Sequence, residues 1–334
     1  MIKKEIKGLT ILRFVAAFYV FLFHAYNMIP ANIPVIMRNF FYNGAVGMSF
    51  FFILSGFILT YSYNDEIPKG FYTRRIKRIY PLYIFCGLIT APLLFRSDIT
   101  GIDSILKVLS ASLLYATSMQ AWLPDLFREW NFGGTWSISV EMFMYLLFPF
   151  LANFINNENC KTVWIFSFLA ISLPVPLSLL YNSDINFTLY YSSPIYRLPE
   201  FMLGISSARI AYSINHIKKE CLLVSSLILI VSLFLENKGW LQLSFLTAPC
   251  ICIIIVSLSK VEVHNKFSLF VSLGRMSYSF YLMQICVMSY VGFFKPPIIM
   301  DSGILGWILV FMMTLSLSAL TYYLIERRRP GIIL

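Results

Sequence analysis

The fold is decided by an apolar stretch near the start of the chain, which reads LTILRFVAAFYVFLFHAYNMI at positions 9–29. A helix of about 20 apolar residues crosses the hydrocarbon core of a bilayer, so this stretch predicts a transmembrane helix. Two ionisable residues interrupt it, Arg13 and His24. They are about three helical turns apart and share one face, with about 16 Å between them along the axis. Because such groups face a polar cavity or a partner, we expect a polar path along this face.

Composition extends the membrane interpretation to the whole chain. Of its 334 residues, 58% are hydrophobic and 13% are charged, and the mean hydropathy is +0.74. Soluble proteins have about a quarter of their residues charged. The sequence therefore predicts an all-α, polytopic transmembrane helical bundle that forms a single domain over residues 1–334, with no appended soluble domain.

Two further features of the composition limit the possibilities. The basic start leads into an apolar run without a small-residue cleavage site, so we expect the first helix to be retained rather than removed as a signal peptide. The six cysteines lie in or beside apolar runs without metal-ligand spacing. This pattern favours packing, and it predicts neither zinc nor disulfides.

The topology follows from where the basic residues fall. A weak segment at 102–121 mixes polar residues with its leucines, so the sequence allows ten spans or eleven. With ten spans and both termini cytoplasmic, 17 of the 26 basic residues lie inside and seven outside, whereas an eleventh span removes most of this bias. The positive-inside rule therefore favours ten spans. Topology and membrane lipids then account for the net charge of +10 without nucleic acid. The predicted spans are 9–29, 40–63, 79–95, 136–155, 162–181, 194–212, 221–236, 240–259, 267–294 and 304–325.

The predicted topology gives an inner group of arginines. Arg13 falls in the inner third of its span, near the basic loop 69–78. Arg75 and Arg78 in that loop share a helix face, and two guanidinium groups at this spacing suit a phosphate or a pyrophosphate. A cytoplasmic anchor that follows the positive-inside rule is the alternative interpretation.

Two further charged groups fall in the outer third. His24 and Glu141 lie at matching depth, where the imidazole can act as a general base and the carboxylate can orient it. The alternatives are a hydrogen bond from His24 to a neighbouring helix and a structural pair between Glu141 and an arginine such as Arg197. Arg197 and Glu200 are three residues apart on one face at the outer mouth of their span.

Small and polar residues complete the set of candidates. Gly44 and Gly47 indicate close helix packing. A polar stripe in lipid must face protein or water, and hydroxyl or amide groups on such a stripe either bond neighbouring helices or line a cavity. The candidates are Ser49 and Ser55 in the second span, and Ser277, Tyr281 and Gln284 at helical spacing in the ninth.

Seven segments stand in a definite order along the chain: LRFVAAF (12–18) with His24, FFILSGF (51–57), RIKR (75–78) with Tyr80 and Pro81, GTWSISVE (134–141) with Tyr145 and Pro149, RLPEFMLG (197–204), LGRMSY (273–278) and YYLIE (322–326). Taken in this order, they resemble the integral-membrane acyltransferase-3 family, which includes bacterial O-antigen and exopolysaccharide O-acetyltransferases. The sequence departs from the family at Gln284, where many relatives have a histidine. A second departure is that we expect no appended esterase-like domain.

The resemblance implies transfer of an acyl group, most often acetyl, from cytoplasmic acetyl-CoA to a carbohydrate hydroxyl. It implies a bacterial inner-membrane enzyme without a metal, acting on a lipid-linked or free glycan, beside polysaccharide-assembly proteins. A transporter or flippase for a sugar-linked lipid, a non-catalytic assembly subunit and a polysaccharide polymerase are the alternatives. The expected roles are CoA binding for Arg13, Arg75 and Arg78; general base or acyl carrier for His24, oriented by Glu141; the acceptor entrance for Arg197 and Glu200; and hydrogen bonds to the thioester oxygen from Ser49, Ser55, Tyr281 or Gln284.

Overall fold

The chain folds as a bundle of helices. The structure, a computed structural model, describes residues 5–63, 66–94, 102–123, 130–173, 191–214, 217–236, 243–261, 264 and 267–327, and every regular element in these ranges is helical. The α-helices are α1 (Lys7–Met28), α2 (Val35–Tyr42), α3 (Val46–Tyr63), α4 (Phe71–Leu94), α5 (Ile102–Ala116), α6 (Trp136–Phe154), α7 (Cys160–Ser172), α8 (Pro194–Ser213), α9 (Lys219–Ser232), α10 (Ser244–Leu258), α11 (Ser268–Arg275), α12 (Ser277–Phe294), α13 (Pro297–Met300) and α14 (Ile304–Thr321).

Four stretches of helix in the described residues are long and apolar enough to cross a membrane. They are Lys7–Met28, Val35–Tyr63, Trp136–Phe154 and Ile304–Glu326, and they coincide with four predicted spans. The all-helical membrane fold is thereby confirmed. The ten-span count and the cytoplasmic position of both termini stay predictions, and part of the predicted span 162–181 lies outside the described residues.

The boundaries of two predicted spans differ from the structure. The span predicted at 267–294 is two helices, α11 and α12, which meet at Met276. The span predicted at 40–63 contains α2, a short 3₁₀ segment (Asn43–Ala45) and α3. Hydropathy responds to the apolar character of a whole run, so it does not register where one helix ends and the next begins within the run.

The weak segment 102–121 forms the amphipathic helix α5. Val108, Ala111 and Tyr115 are buried, while other apolar side chains of the helix, such as Leu109, are exposed. The Tyr115 ring stacks on Tyr83 of α4 with 4.3 Å between centroids. Each of these two hydroxyls donates to the backbone carbonyl of the other residue, at 2.8 and 3.0 Å. One face of α5 is therefore fixed to α4.

Glycines allow the central helices to approach closely, as predicted for Gly44 and Gly47. A Cβ on Gly47 would lie 2.9 Å from the carbonyl oxygen of Ala16, and one on Gly44 would lie 2.6 Å from that of Tyr19. Both oxygens belong to α1. Lipid supplies no hydrophobic drive for helix association, so such close backbone packing is a main source of stability in a bilayer.

Arg209 has a structural position that the charge count did not reveal. It lies near the inner end of the predicted span 194–212, and its side chain is buried. Its Nε donates to the carbonyl of Ile155 at 3.1 Å, and its Nη2 donates to that of Ala152 at 2.9 Å. The last carbonyls of a helix have no partner within it. Arg209 of α8 thus caps the carboxyl end of α6.

An ion pair joins the start of α1 to the end of α11. Arg275, predicted to lie within a span, is 46% exposed and pairs with Glu5 at 2.6 Å. Burial by itself raises the pKa of Glu5, but the hydrogen bonds from Arg275 and Thr10 and the positive charges of Arg275 and Arg13 outweigh it and lower the pKa below its ordinary value of 4.5. The folded state therefore favours the ionised carboxylate.

We expect the Glu5→Gln substitution to lower the thermal unfolding midpoint at neutral pH but not in acid. A carboxyl group with a lowered folded pKa contributes stability above its unfolded pKa and loses it as the pH falls through the folded value. The midpoints of wild type and Glu5→Gln in one detergent should therefore differ at about pH 7 and converge at about pH 3. Glu66→Gln, which changes an exposed carboxylate, is the control. An equal difference at both pH values would contradict this account.

Candidate active site

A cavity lies among α1, α3, α4, α6 and α12. It contains about 1010 Å³ of empty space when the solvent in its open mouth is included. Apolar side chains such as Leu9, Met48 and Phe51 form much of its wall. The polar and charged residues that line it are Thr10, Arg13, Ser55, Arg75, Arg78, Ser137, Glu141, Tyr145, Ser277, Tyr278 and Tyr281.

Arg75 is held rigidly at this cavity. Its side chain is buried, and Nη2 donates to the hydroxyl of Tyr63 at 2.6 Å. The rings of Tyr63, Phe71 and Tyr145 surround the guanidinium carbon, with centroids at 5.7, 5.6 and 5.6 Å. A side chain that anchors a helix to lipid headgroups points outward. The burial of Arg75 therefore argues for a binding role over the anchor interpretation.

Glu141 belongs to the same cavity as the arginines. The hydroxyl of Tyr145, one helical turn further along α6, donates to its Oε1. Glu141 is also close enough to Arg13 to interact electrostatically. The sequence placed Glu141 in an outer group separate from the inner arginines, and this separation is wrong. Tyr145 joins the two groups, because its hydroxyl bonds Glu141 while its ring lies 5.6 Å from the guanidinium carbon of Arg75.

The structure adds Glu326 to the arginine group, a residue that the sequence did not single out. It lies in the π-helical turn Tyr322–Glu326 after α14 and accepts a hydrogen bond from Ser279 at 2.7 Å. Arg13 and Arg78 both interact electrostatically with this carboxylate. Its only signal in the sequence was its place in the last matching segment, because contacts between the two ends of a chain leave no local pattern.

The polar stripe of α12 begins at the cavity and continues past it. Ser277 and Tyr281 line the cavity, and the Tyr281 hydroxyl lies 2.7 Å from Ser137 Oγ and donates to the carbonyl of Gly134 at 2.8 Å. Gln284 is fully buried, and neither amide atom has a hydrogen-bond partner among the described residues. Its predicted contact with the reacting thioester stays a prediction.

Arg197 and Glu200 form a buried ion pair of 3.1 Å. Each side chain is 1% exposed, so neither opens directly to solvent at an outer mouth. Nη2 of Arg197 donates to Ser49 Oγ at 3.3 Å, which places Ser49 with this pair. The surrounding rings are those of Phe52, Trp136 and Tyr191, and Phe52 also lines the cavity.

His24 lies further along α1. Its Nδ1 is buried, and its ring is 5.4 Å from that of Phe23. Among the described residues that line the cavity, α1 contributes side chains only as far as Arg13, and the face between Arg13 and His24 carries the buried residues Ala17 and Val20. The predicted pairing of His24 with Glu141 stays a prediction.

The described residues contain no group of three or more histidine, cysteine, aspartate or glutamate side chains that could hold a metal ion. The cavity instead collects guanidinium, carboxylate and hydroxyl groups. Such a set can bind an anion and transfer protons.

Comparison with known proteins places this site in a family. The model of the acyltransferase-3 family, described as an acyltransferase domain, matches residues 6–323. The chain therefore belongs to this family and is a membrane acyltransferase, as the motifs suggested.

Three individual relatives are 22–27% identical to the chain. Acyltransferase MdmB of Streptomyces mycarofaciens is 27% identical, over 74% of this chain and 69% of MdmB. O-acetyltransferase OatA of Staphylococcus aureus is 22% identical over 85% of this chain, but the chain spans only 52% of OatA. A protein of Haemophilus influenzae without an assigned function is 27% identical over 61% of this chain and 94% of its own length. No solved structure matches the chain.

Proposed function

We propose that the enzyme transfers an acetyl group from cytoplasmic acetyl-CoA to a hydroxyl of a surface carbohydrate, such as O-antigen or exopolysaccharide, at the bacterial inner membrane. The observation that carries this proposal is the convergence of Arg13, Arg75 and Arg78 beside Glu141 in one cavity. The relative named as an O-acetyltransferase supports acetyl as the group and oxygen as its acceptor. Membership of an acyltransferase family argues against the transporter, polymerase and non-catalytic alternatives.

The cavity supplies two different environments for the donor. Its three guanidinium groups outnumber the two carboxylates near them, Glu141 in the lining and Glu326 beside Arg13 and Arg78, and this positive excess suits the phosphates of CoA. Apolar walls that include Leu9 suit the uncharged pantetheine arm. This division agrees with a donor that is anionic at one end and carries its acyl group at the other.

In the proposed reaction the acceptor oxygen attacks the thioester carbonyl carbon. The carbon–oxygen bond forms and the carbon–sulfur bond breaks, and His24 takes the hydroxyl proton and returns it to the leaving CoA sulfur. Arg197 and Glu200 lie near the acceptor. The predicted stabilisation of the charged imidazole by Glu141 requires the two side chains to come together, since Glu141 lies with Arg13 in the structure. Ser55, which lines the cavity, is the hydroxyl best placed to bond the thioester oxygen as charge develops on it. Tyr281 also lines the cavity but donates its one proton to the carbonyl of Gly134, so it can take this role only by exchanging that bond. The acceptor is lipid-linked or free, and polysaccharide-assembly proteins are its expected source.

The Arg75→Ala, Arg78→Ala double variant tests the donor. We expect its affinity for acetyl-CoA, measured by calorimetry on the protein in lipid nanodiscs, to fall by at least about 100-fold. Each hydrogen bond to a charged group contributes about 1.5–3 kcal/mol, and two are removed. Arg78→Ala alone, at the half-buried position, gives a smaller loss and is less demanding on folding.

The matched control removes two positive charges from the same helix turn without touching the cavity. Arg74 donates to the backbone carbonyls of Pro68 and Lys69, and Lys77 is exposed. The Arg74→Ala, Lys77→Ala variant should bind acetyl-CoA as wild type does. Equal losses in both double variants would mean that only the net charge of the loop matters, and unchanged affinity in both would leave Arg75 and Arg78 as anchors.

A further inference from the structure

Ser277 is a buried serine in the wall of the cavity. It is the first residue of α12, and its side chain is 1% exposed. Its Oγ has no hydrogen-bond partner among the described residues. Buried hydroxyls are nearly always hydrogen-bonded, since leaving one unpaired costs free energy. Unlike Ser257, which is also buried and unpaired among the described residues, Ser277 borders the cavity, where a bound ligand can supply the partner.

The packing of α1 against α11 and α12 places this hydroxyl at the level of Arg13. A Cβ on Gly274 would overlap the backbone carbonyl of Thr10, so these two residues touch. The Phe280 ring packs against Phe14, 5.3 Å away, and the numbering of both chains therefore rises in the same direction. Ser277 lies between Gly274 and Phe280 in sequence, as Arg13 lies between Thr10 and Phe14, so the two contacts bracket both residues, and both line the cavity.

The charges around Ser277 select the kind of partner. Arg13 and Arg78 line the same cavity and also interact with Glu326, so three guanidinium groups, those of Arg13, Arg75 and Arg78, face two carboxylates, Glu141 and Glu326. The one carboxylate in the lining, Glu141, already accepts a hydrogen bond from Tyr145. A hydroxyl donor beside guanidinium groups fits the oxygens of a phosphate group, which accept both kinds of hydrogen bond.

We propose that Ser277 is a ligand-binding residue whose hydroxyl donates to a phosphate oxygen held by Arg13 and Arg78. This inference rests on the proposed function in so far as it identifies the phosphate as one of acetyl-CoA. A phospholipid headgroup has the same chemistry, so these binding experiments use the protein in a nonionic detergent that contains no phosphate, with acetyl-CoA and inorganic pyrophosphate as separate probes.

The test compares binding with folding. Ser277→Ala should bind acetyl-CoA and pyrophosphate about tenfold more weakly than wild type, because a hydrogen bond to a charged group is lost. Its thermal unfolding midpoint without ligand should be unchanged or higher, because the substitution removes an unpaired buried hydroxyl. Ser257→Ala is the control: Ser257 in α10 is also a buried, unpaired serine among the described residues, but it lies away from the cavity.

A second pair of variants isolates the hydroxyl from the shape of the side chain. Ser277→Thr and Ser277→Val have nearly the same shape, and only threonine keeps the donor, so the threonine variant should bind at least several-fold more tightly. Equal binding by the threonine and valine variants would overturn the proposal. Wild-type affinity of Ser277→Ala for both probes, or a lowered unfolding midpoint of Ser277→Ala, would also overturn it. Wild-type binding of pyrophosphate but not of acetyl-CoA, with the same dependence on Ser277, would uphold the phosphate site and refute the proposed donor.

Discussion

Gly204→Ala is expected to prevent the chain from reaching a stable fold. A Cβ at this position would overlap the carbonyl oxygen of Ile53 and would lie 2.8 Å from the backbone nitrogen of Phe57. The contact is reciprocal, since a Cβ on Gly56 would overlap the carbonyl oxygen of Phe201. Backbone atoms of a helix cannot rotate away as a side chain does, so α3 and α8 would have to separate. We expect a cost at or above the upper end of the ~1–3 kcal/mol that is typical of overpacked interiors.

This separation would also dismantle the site, because α3 carries Ser49 and Ser55 and α8 carries Arg197 and Glu200. Monodispersity after detergent extraction and the thermal unfolding midpoint measure the effect. Gly292→Ala is the matched control: it also lies within a helix, but a Cβ there would meet only Cε of Met28, the movable end of a side chain, at 2.8 Å. A monodisperse Gly204→Ala protein with the wild-type midpoint would show that the two helices have room to move apart.

Close packing illustrates how far the sequence alone reaches. Gly44 and Gly47 were predicted to allow helices to approach, and both face backbone atoms of α1. Gly56 and Gly204 make an equally close contact, but they lie about 150 residues apart in the chain. A small residue in an apolar run indicates that a neighbour comes close. The identity of that neighbour depends on the arrangement of the whole bundle, which no local pattern records.

The same distinction holds for the candidate site. Arg13, Arg75 and Arg78 were predicted to form one group, and they line one cavity because spacing and charge placed them at one end of their spans. Glu141 was assigned to another group by counting residues from the predicted start of its span. Such counting gives the depth of a residue's backbone in the membrane. It neglects the length of an arginine side chain and the Tyr145 side chain, which contacts both Glu141 and Arg75.

His24→Ala should abolish acyl transfer while leaving the binding of acetyl-CoA unchanged. A general base contributes about 10²–10⁴-fold to rate, so the loss should be at least about 100-fold. Binding should survive because His24 lies about 16 Å beyond Arg13 along α1, and Arg13 is the last α1 residue among the described residues lining the cavity. Donor binding and proton transfer are thus assigned to different parts of the molecule, and one variant can separate them.

The measurement combines two readouts on each variant. Mass spectrometry of surface glycans, from cells in which the gene is deleted and then restored as wild type or as the variant, reports transfer as one acetyl mass difference. Calorimetry on the purified protein reports acetyl-CoA affinity. His264→Ala, which changes an exposed histidine, controls for loss of an imidazole as such, and His24→Asn keeps a hydrogen-bonding side chain that cannot act as a base. An amide can replace a hydrogen bond of the imidazole, but at neutral pH it cannot carry a proton from the acceptor oxygen to the CoA sulfur. Normal acetyl transfer by His24→Asn would therefore mean that the imidazole has a structural role.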